Sequence, residues 1–242
     1  MRTGLCASTS GSKAARAAFR LLLAGYGFLA ALAVMLVKPA PAGVVLLCLQ
    51  CVCVVFAVPA CCIWRPAAGR WPGRAKAPLM QMRQAVWLVG AGAAGGGLGS
   101  LASAPPDAGI LTGSAFALSF AVFLAGTCFL AGAAFGRTAA QVLTIGIGLL
   151  MVSTPYYVNP LILLSSGALR MRVVQAAVNV NPLLVGAAGI MNFDWLRAGA
   201  LYHTCLIGGY QYPFYYPGAL KVGIIFGIAG MIFMMASTLR KG

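Results

Sequence analysis

The chain reads as an all-α polytopic membrane protein, with six transmembrane helices and both termini in the cytoplasm. Hydrophobic residues fill 61% of its 242 positions and charged residues only 8%, a balance that leaves too little polar surface for a water-soluble domain of this size. The apolar residues fall into runs of about 20, the length at which a helix crosses roughly 30 Å of hydrocarbon. Basic residues cluster between the runs. An N-inside, six-span arrangement places twelve of the 17 Lys and Arg in the cytoplasm (Arg2, Lys13, Arg16, Arg20, Arg65, Arg70, Arg74, Lys76, Arg83, Arg137, Arg240 and Lys241). Lys38, Arg170, Arg172, Arg197 and Lys221 are left outside, with both acids, Asp107 and Asp194. The inverted arrangement needs the opposite asymmetry.

The whole of 1–242 forms a single transmembrane domain. Its first span, 19–37, follows a small, polar, basic N-terminal stretch and ends at Lys38-Pro39. Ala40-Pro41-Ala42 resembles a signal-peptide cleavage site. The apolar run is longer than the roughly 7 to 15 residues of a signal core, so it reads as an uncleaved span. The second span, 43–63, leads into a basic loop over 64–84, expected in the cytoplasm. The third, 85–103, is rich in glycine and ends before Pro105-Pro106-Asp107; small residues suit helix contact in lipid, where association depends on backbone approach.

Span four covers 110–135, and Gly136-Arg137-Thr138 is so short a connection that span five, 139–158, must pack antiparallel beside it. Pro155 and Tyr156-Tyr157 mark its end, the proline by removing a backbone donor and the tyrosines as interfacial anchors. The external segment 159–218 is the least regular part. Two moderately apolar pieces, 161–178 and 183–201, are expected as short helices at or dipping into the outer interface. The last span is 220–237, closed by Arg240-Lys241.

The net charge of +15 would suggest nucleic acid in a soluble protein. Here the cations lie in clusters at span ends without interleaved stacking aromatics, so they set topology and meet anionic lipid headgroups, and no nucleic-acid partner is expected. Of the eight cysteines only Cys205 falls clearly in an external segment, so no structural disulfide is expected.

Catalytic, cofactor and metal sites are not expected, and the chain does not read as an enzyme. Two carboxylates far apart and a single His203 offer no acid–base pair or nucleophile relay. Cys48-Leu49-Gln50-Cys51-Val52-Cys53 has thiols but no nearby histidine or acid, and reads as small apolar packing in a helix. The glycine run from Gly90 to Gly99 lacks the Lys-Ser/Thr of a phosphate loop and reads as a face for a neighbouring helix. No acid lies mid-span, which weighs against an ion-coupled carrier, although unwound backbone can also coordinate sodium. Tyr210, Tyr212, Phe214, Tyr215 and Tyr216 read as interfacial anchors, with an exit lining as the sharper alternative.

Three features together resemble the permease subunit of ABC-2 type transporters, whose ATPase is a separate chain. These are six spans with both termini inside, the basic segment Arg65 to Arg83, and a long segment between spans five and six. That segment carries Asn-Pro-Leu twice, as Asn159-Pro160-Leu161 and Asn181-Pro182-Leu183, where family members place short external helices. The resemblance implies ATP-driven export by a homo- or heterodimer of permeases on ATP-binding subunits, in the bacterial inner (plasma) membrane. It makes Arg65, Arg70, Arg74, Lys76 and Arg83 the candidate ATPase-coupling loop. Asn159, Pro160, Asn181, Pro182, Tyr210, Tyr212 and Tyr215 become the candidate external gate or exit. The scarcity of charge in the spans suits a hydrophobic or amphipathic cargo. A non-transporting accessory subunit of a larger complex and a secondary carrier are the alternatives.

Overall fold

A computed structural model describes residues 24–32, 42–61, 89–94, 109–197, 206–209 and 215–239, with the isolated positions 21, 83, 86–87 and 98. All regular structure among these is helical. Nine helices have defined bounds: α1 (Ala42–Cys61), α2 (Gly109–Phe135), α3 (Arg137–Val152), α4 (Thr154–Tyr157), α5 (Asn159–Leu164), α6 (Gly167–Val180), α7 (Pro182–Met191), α8 (Leu206–Gly209) and α9 (Ala219–Leu239). Residues 24–32 and 89–94 are also helical and belong to the expected first and third spans. Most of the basic loop 64–84 lies outside the described residues.

Among the described residues three helices, α1, α2 and α9, are each long and apolar enough to cross a membrane, and the number rises to five if each of two bent helix pairs forms one span. The protein is thus a multi-span helical membrane protein.

α2 is the centre of the bundle, with buried residues from Gly109 to Ala131 and neighbours in α1, α3, α7 and α9. Against α9 it presents Phe116, Phe120 and Phe123, spaced to share one helix face. Phe226 of α9 sits among their rings at centroid distances of 6.1, 5.6 and 5.4 Å. One turn further the aromatic spacer gives way to glycine. A Cβ on Gly126 would collide with the carbonyl of Gly230, and one on Gly230 with the carbonyl of Val122, so the two backbones touch. Lipid offers no hydrophobic drive for helix pairing, and this close approach supplies the packing instead. The contacts advance together from Phe116–Gly223 to Gly126–Gly230, so α2 and α9 run parallel.

α3 runs the other way. Gly136, at φ 83°, turns the chain in a single residue between α2 and α3, a backbone state open to glycine at little cost. Cys128, Ala131 and Ala140 close the corner as a small apolar cluster. Gln141 of α3 donates to Pro59 O of α1 at 3.2 Å, and Gly148 meets Val55 one to two turns on, which fixes α1 and α3 as antiparallel.

The expected fifth span is corrected at its outer end. The helix stops at Val152, not 158, because Pro155 removes the amide that would bond Met151 O. Hydroxyls reinforce the break: Thr154 Oγ1 lies 2.7 Å from Met151 O, the acceptor that Pro155 frees, and 2.9 Å from Leu150 O, while Ser153 Oγ donates at 2.5 Å to Leu149 O beside the backbone bond from Ser153 N at 2.8 Å. Beyond this break the chain bends by 75° between Arg137–Val152 and Thr154–Leu164. The piece expected at 161–178 is likewise two helices, parted at Ser165–Ser166, and the piece expected at 183–201 ends at Met191. There Asn192 takes the left-handed conformation at φ 50° and Phe193 N bonds Ala187 O at 3.1 Å.

Candidate functional site

The segment between α3 and α9 folds around its own apolar centre, formed by Val158, Ile162, Val174, Ala177, Val178, Leu184, Leu196 and Ile207, separate from the main core along α2. Its two Asn-Pro-Leu repeats have different positions and different tasks. Asn181 is 1% exposed and stands between α6 and α7, which meet at 76°. Its Oδ1 accepts from Leu183 N at 2.9 Å and Leu184 N at 3.1 Å, capping the first turn of α7. Its Nδ2 donates to Val152 O at 2.8 Å, the carbonyl at the broken end of α3. Pro182, buried beside it, occupies the first helical position, where a missing amide costs nothing. One side chain therefore satisfies both helix breaks and joins them.

Asn159 is half-buried, and its Oδ1 accepts from Leu206 N at 3.1 Å, tying α5 to α8. Pro160 beside it is exposed. One repeat bridges the two bends, and the other ties α5 to α8.

Tyr215 does face a cavity. An open groove of about 460 Å³ runs between α6 and the residues leading into α9, lined by Met171, Arg172, Gln175, Asn179, Tyr215, Tyr216 and Pro217. Gln175 Nε2 fixes one wall by donating to Tyr215 O at 2.5 Å and to Asn179 Oδ1 at 2.7 Å. Tyr215 is 75% exposed and leaves a ring face open. The groove therefore joins aromatic and aliphatic surface to the guanidinium of Arg172.

Behind the groove lies a polar contact that the residue pattern did not single out. Tyr216 Oη donates to Asp194 Oδ1 at 2.7 Å, which also accepts from Leu196 N at 3.1 Å, while Asp194 Oδ2 pairs with Arg197 Nε at 3.3 Å. Burial, and then the hydrogen bond to Asp194, hold the Tyr216 phenol well above its ordinary range. The Arg197 side chain is 64% exposed, so its ion pair adds little, and the charge-assisted tyrosine bond is the stronger tie. The signal in the sequence was one acid in an otherwise acid-poor chain, with no clue to which hydroxyl would meet it.

Of the expected coupling loop, Arg83 is helical and exposed, while Arg65, Arg70, Arg74 and Lys76 lie outside the described residues, as do Tyr210 and Tyr212. Among the described residues no three His, Cys, Asp or Glu side chains come together as a metal site. Compared with known proteins, the chain matches no family model, no curated protein and no solved structure.

Proposed function

We propose that the chain is the membrane-spanning permease subunit of an ATP-driven exporter of the ABC-2 type, paired with a second permease and driven by a separate ATP-binding subunit. Six spans with both termini in the cytoplasm complete its topology, and the bacterial plasma membrane is its place. The observation that carries the proposal is the junction at Asn181. It holds a stack of short helices, α4 to α7, between α3 and the final crossing α9, the position at which the family resemblance implies short external helices. The parallel course of α1, α2 and α9, with α3 opposed, agrees with the directions that six alternating spans require.

Cargo would leave by the groove beside Tyr215. Its open ring and the aliphatic stem of Met171 suit an apolar body, and Arg172 suits an anionic head, so an amphipathic substrate fits it better than a small ion. Arg65, Arg70, Arg74, Lys76 and Arg83 would meet the ATPase on the opposite face.

Copurification with an ATPase encoded beside this chain, and stimulation of that ATPase in proteoliposomes, test the assignment directly. Copurification with cofactor-bearing subunits, without ATPase stimulation, would point instead to an accessory subunit. The two bends at Ser153 and Asn181 also suit a carrier that holds its cargo at discontinuous helices. Flux that follows an ion gradient and persists without ATP would favour that carrier.

A further inference from the structure

The groove between α6 and the residues leading into α9 lies at the mouth of a crossing helix, since Pro217 stands two residues before Ala219, where α9 begins. Its surroundings are apolar and open. Leu169 and Met171 on α6, Tyr215 on the opposite wall and Leu220 in the first turn of α9 are all exposed. Exposed apolar side chains then continue down α9 through Ile224 and Ile228, one face of a helix apolar enough to cross hydrocarbon. Continuous surface of this kind marks contact with lipid.

The polar groups of the groove carry charge of one sign. Arg172, Gln175 and Asn179 fall at i, i+3 and i+7 of α6 and so share one face. Gln175 Nε2 is occupied by Asn179 Oδ1 at 2.7 Å and Tyr215 O at 2.5 Å. What remains is the guanidinium of Arg172, the Nδ2 donor of Asn179, the acceptor Oε1 of Gln175 and the hydroxyl of Tyr215. Arg172 is exposed and has no ion-pair partner among the described residues. No carboxylate is among the lining residues, and Asp194, behind them, is already engaged by Arg197 and Tyr216.

We infer that this groove binds one anionic phospholipid from the leaflet at the Ala219 end of α9, with phosphatidylglycerol as the headgroup that fits. Its phosphate meets Arg172 and Asn179 Nδ2, and a glycerol hydroxyl donates to Gln175 Oε1. The start of one acyl chain lies on Met171, Tyr215 and Pro217. The groove's volume, about 460 Å³, is in the range of ligand-holding clefts. A zwitterionic headgroup brings a second cation to a rim that holds Arg172 and offers it no carboxylate. Binding needs neither ATP nor a second permease, so the site does not rest on the transport assignment; an exported amphiphile leaving by the groove would displace the lipid.

Photolabelling of the full-length protein in phosphatidylcholine nanodiscs tests this. The probes are trace phosphatidylglycerol or phosphatidylcholine with a diazirine near the start of one chain, and adducts are mapped by peptide mass spectrometry. The phosphatidylglycerol probe is expected to label 171–179 and Tyr215 about fivefold more than the phosphatidylcholine probe, the discrimination that one interfacial arginine supplies. Arg172→Gln should bring the two probes level, while Arg197→Gln, outside the groove, should leave the ratio unchanged. Salt at about 1 M, which screens an exposed guanidinium, should level them in the unaltered protein too, whatever the variants do to folding. Equal labelling by the two probes at low salt overturns the site, as does a preference that survives Arg172→Gln in a folded protein. An equal loss in Arg197→Gln, or a preference of the same size at Ile224 and Ile228, also overturns it, by showing a general attraction to a cationic protein.

Discussion

Gly126 of α2 and Gly230 of α9 meet backbone to backbone, one turn beyond the point where Phe226 is held among three phenylalanines. The helices converge from an aromatic spacer to a glycine contact, and each glycine leaves the room that the opposite carbonyl fills.

Adding one methyl group at this crossing should therefore be costly. Gly126→Ala and Gly230→Ala are each expected to destabilise the protein by about 1–3 kcal/mol through overpacking, despite the better helix propensity of alanine. Gly227, on the same helix, has nothing within 4 Å of its would-be Cβ, so Gly227→Ala should be neutral or slightly stabilising. Denaturant titration in mixed micelles, followed by far-UV circular dichroism, separates the three. Equal behaviour of Gly126→Ala and Gly227→Ala would remove the crossing from the account.

Asn181 should tolerate replacement less well than Asn159, although both begin an Asn-Pro-Leu repeat. Asn181→Ala removes a cap and leaves the half-buried Val152 O without its donor, together about 1.5–3 kcal/mol. Asn159→Ala loses a single bond from Leu206 N at a half-buried position, about 1 kcal/mol. Asn181→Asp keeps the acceptor for Leu183 N and Leu184 N but sets an oxygen against Val152 O, so it should fall between alanine and the parent. Thermal unfolding in detergent gives the order, and if transport is measured, Asn181→Ala should impair it even at temperatures where the protein stays folded.

The Tyr216–Asp194 bond predicts an alkaline limit. Because the folded phenol is held above its ordinary range, near 10, the unfolded chain loses this proton first as pH rises. The contribution is intact below about pH 10 and is lost progressively above it, as the unfolded state alone ionises. Tyr216→Phe should lower stability at neutral pH by about 1–3 kcal/mol and flatten the decline at alkaline pH. Unfolding midpoints from pH 7 to 11, compared between the two proteins, provide the check; parallel curves would count against the bond.

Reversing the charges of Arg70, Arg74 and Lys76 to glutamate should abolish ATPase stimulation and copurification of the partner. Insertion should be largely unaffected, because Arg65 and the terminal basic clusters still bias the orientation. Membrane fractionation and a pull-down from the same cells read both outcomes. Retained partner binding would remove the coupling role from this loop.

Much of the scaffold was legible in the residues. The helices α1, α2 and α9 each lie on a continuous apolar run of a length that hydrocarbon selects, and such runs are visible in the residues alone. The antiparallel turn at Gly136 followed from a connector too short for anything else. Within the irregular segment, both Asn-Pro pairs were visible as punctuation, but their roles were not. Asn181 needed the carbonyl of Val152, 29 residues earlier, and Tyr216 needed Asp194, 22 residues earlier.

The amino-acid sequence by itself determined residence in lipid, the helical state and the placement of the long runs, since these depend on apolar length and on backbone amides that hydrocarbon cannot hydrate. Tertiary structure decided where the helices break, which distant backbone group each asparagine serves, and where two glycines bring backbones together. Those outcomes depend on atoms far apart along the chain arriving within a few ångströms of each other, and pairwise geometry of that kind is not written in the local pattern of any one segment.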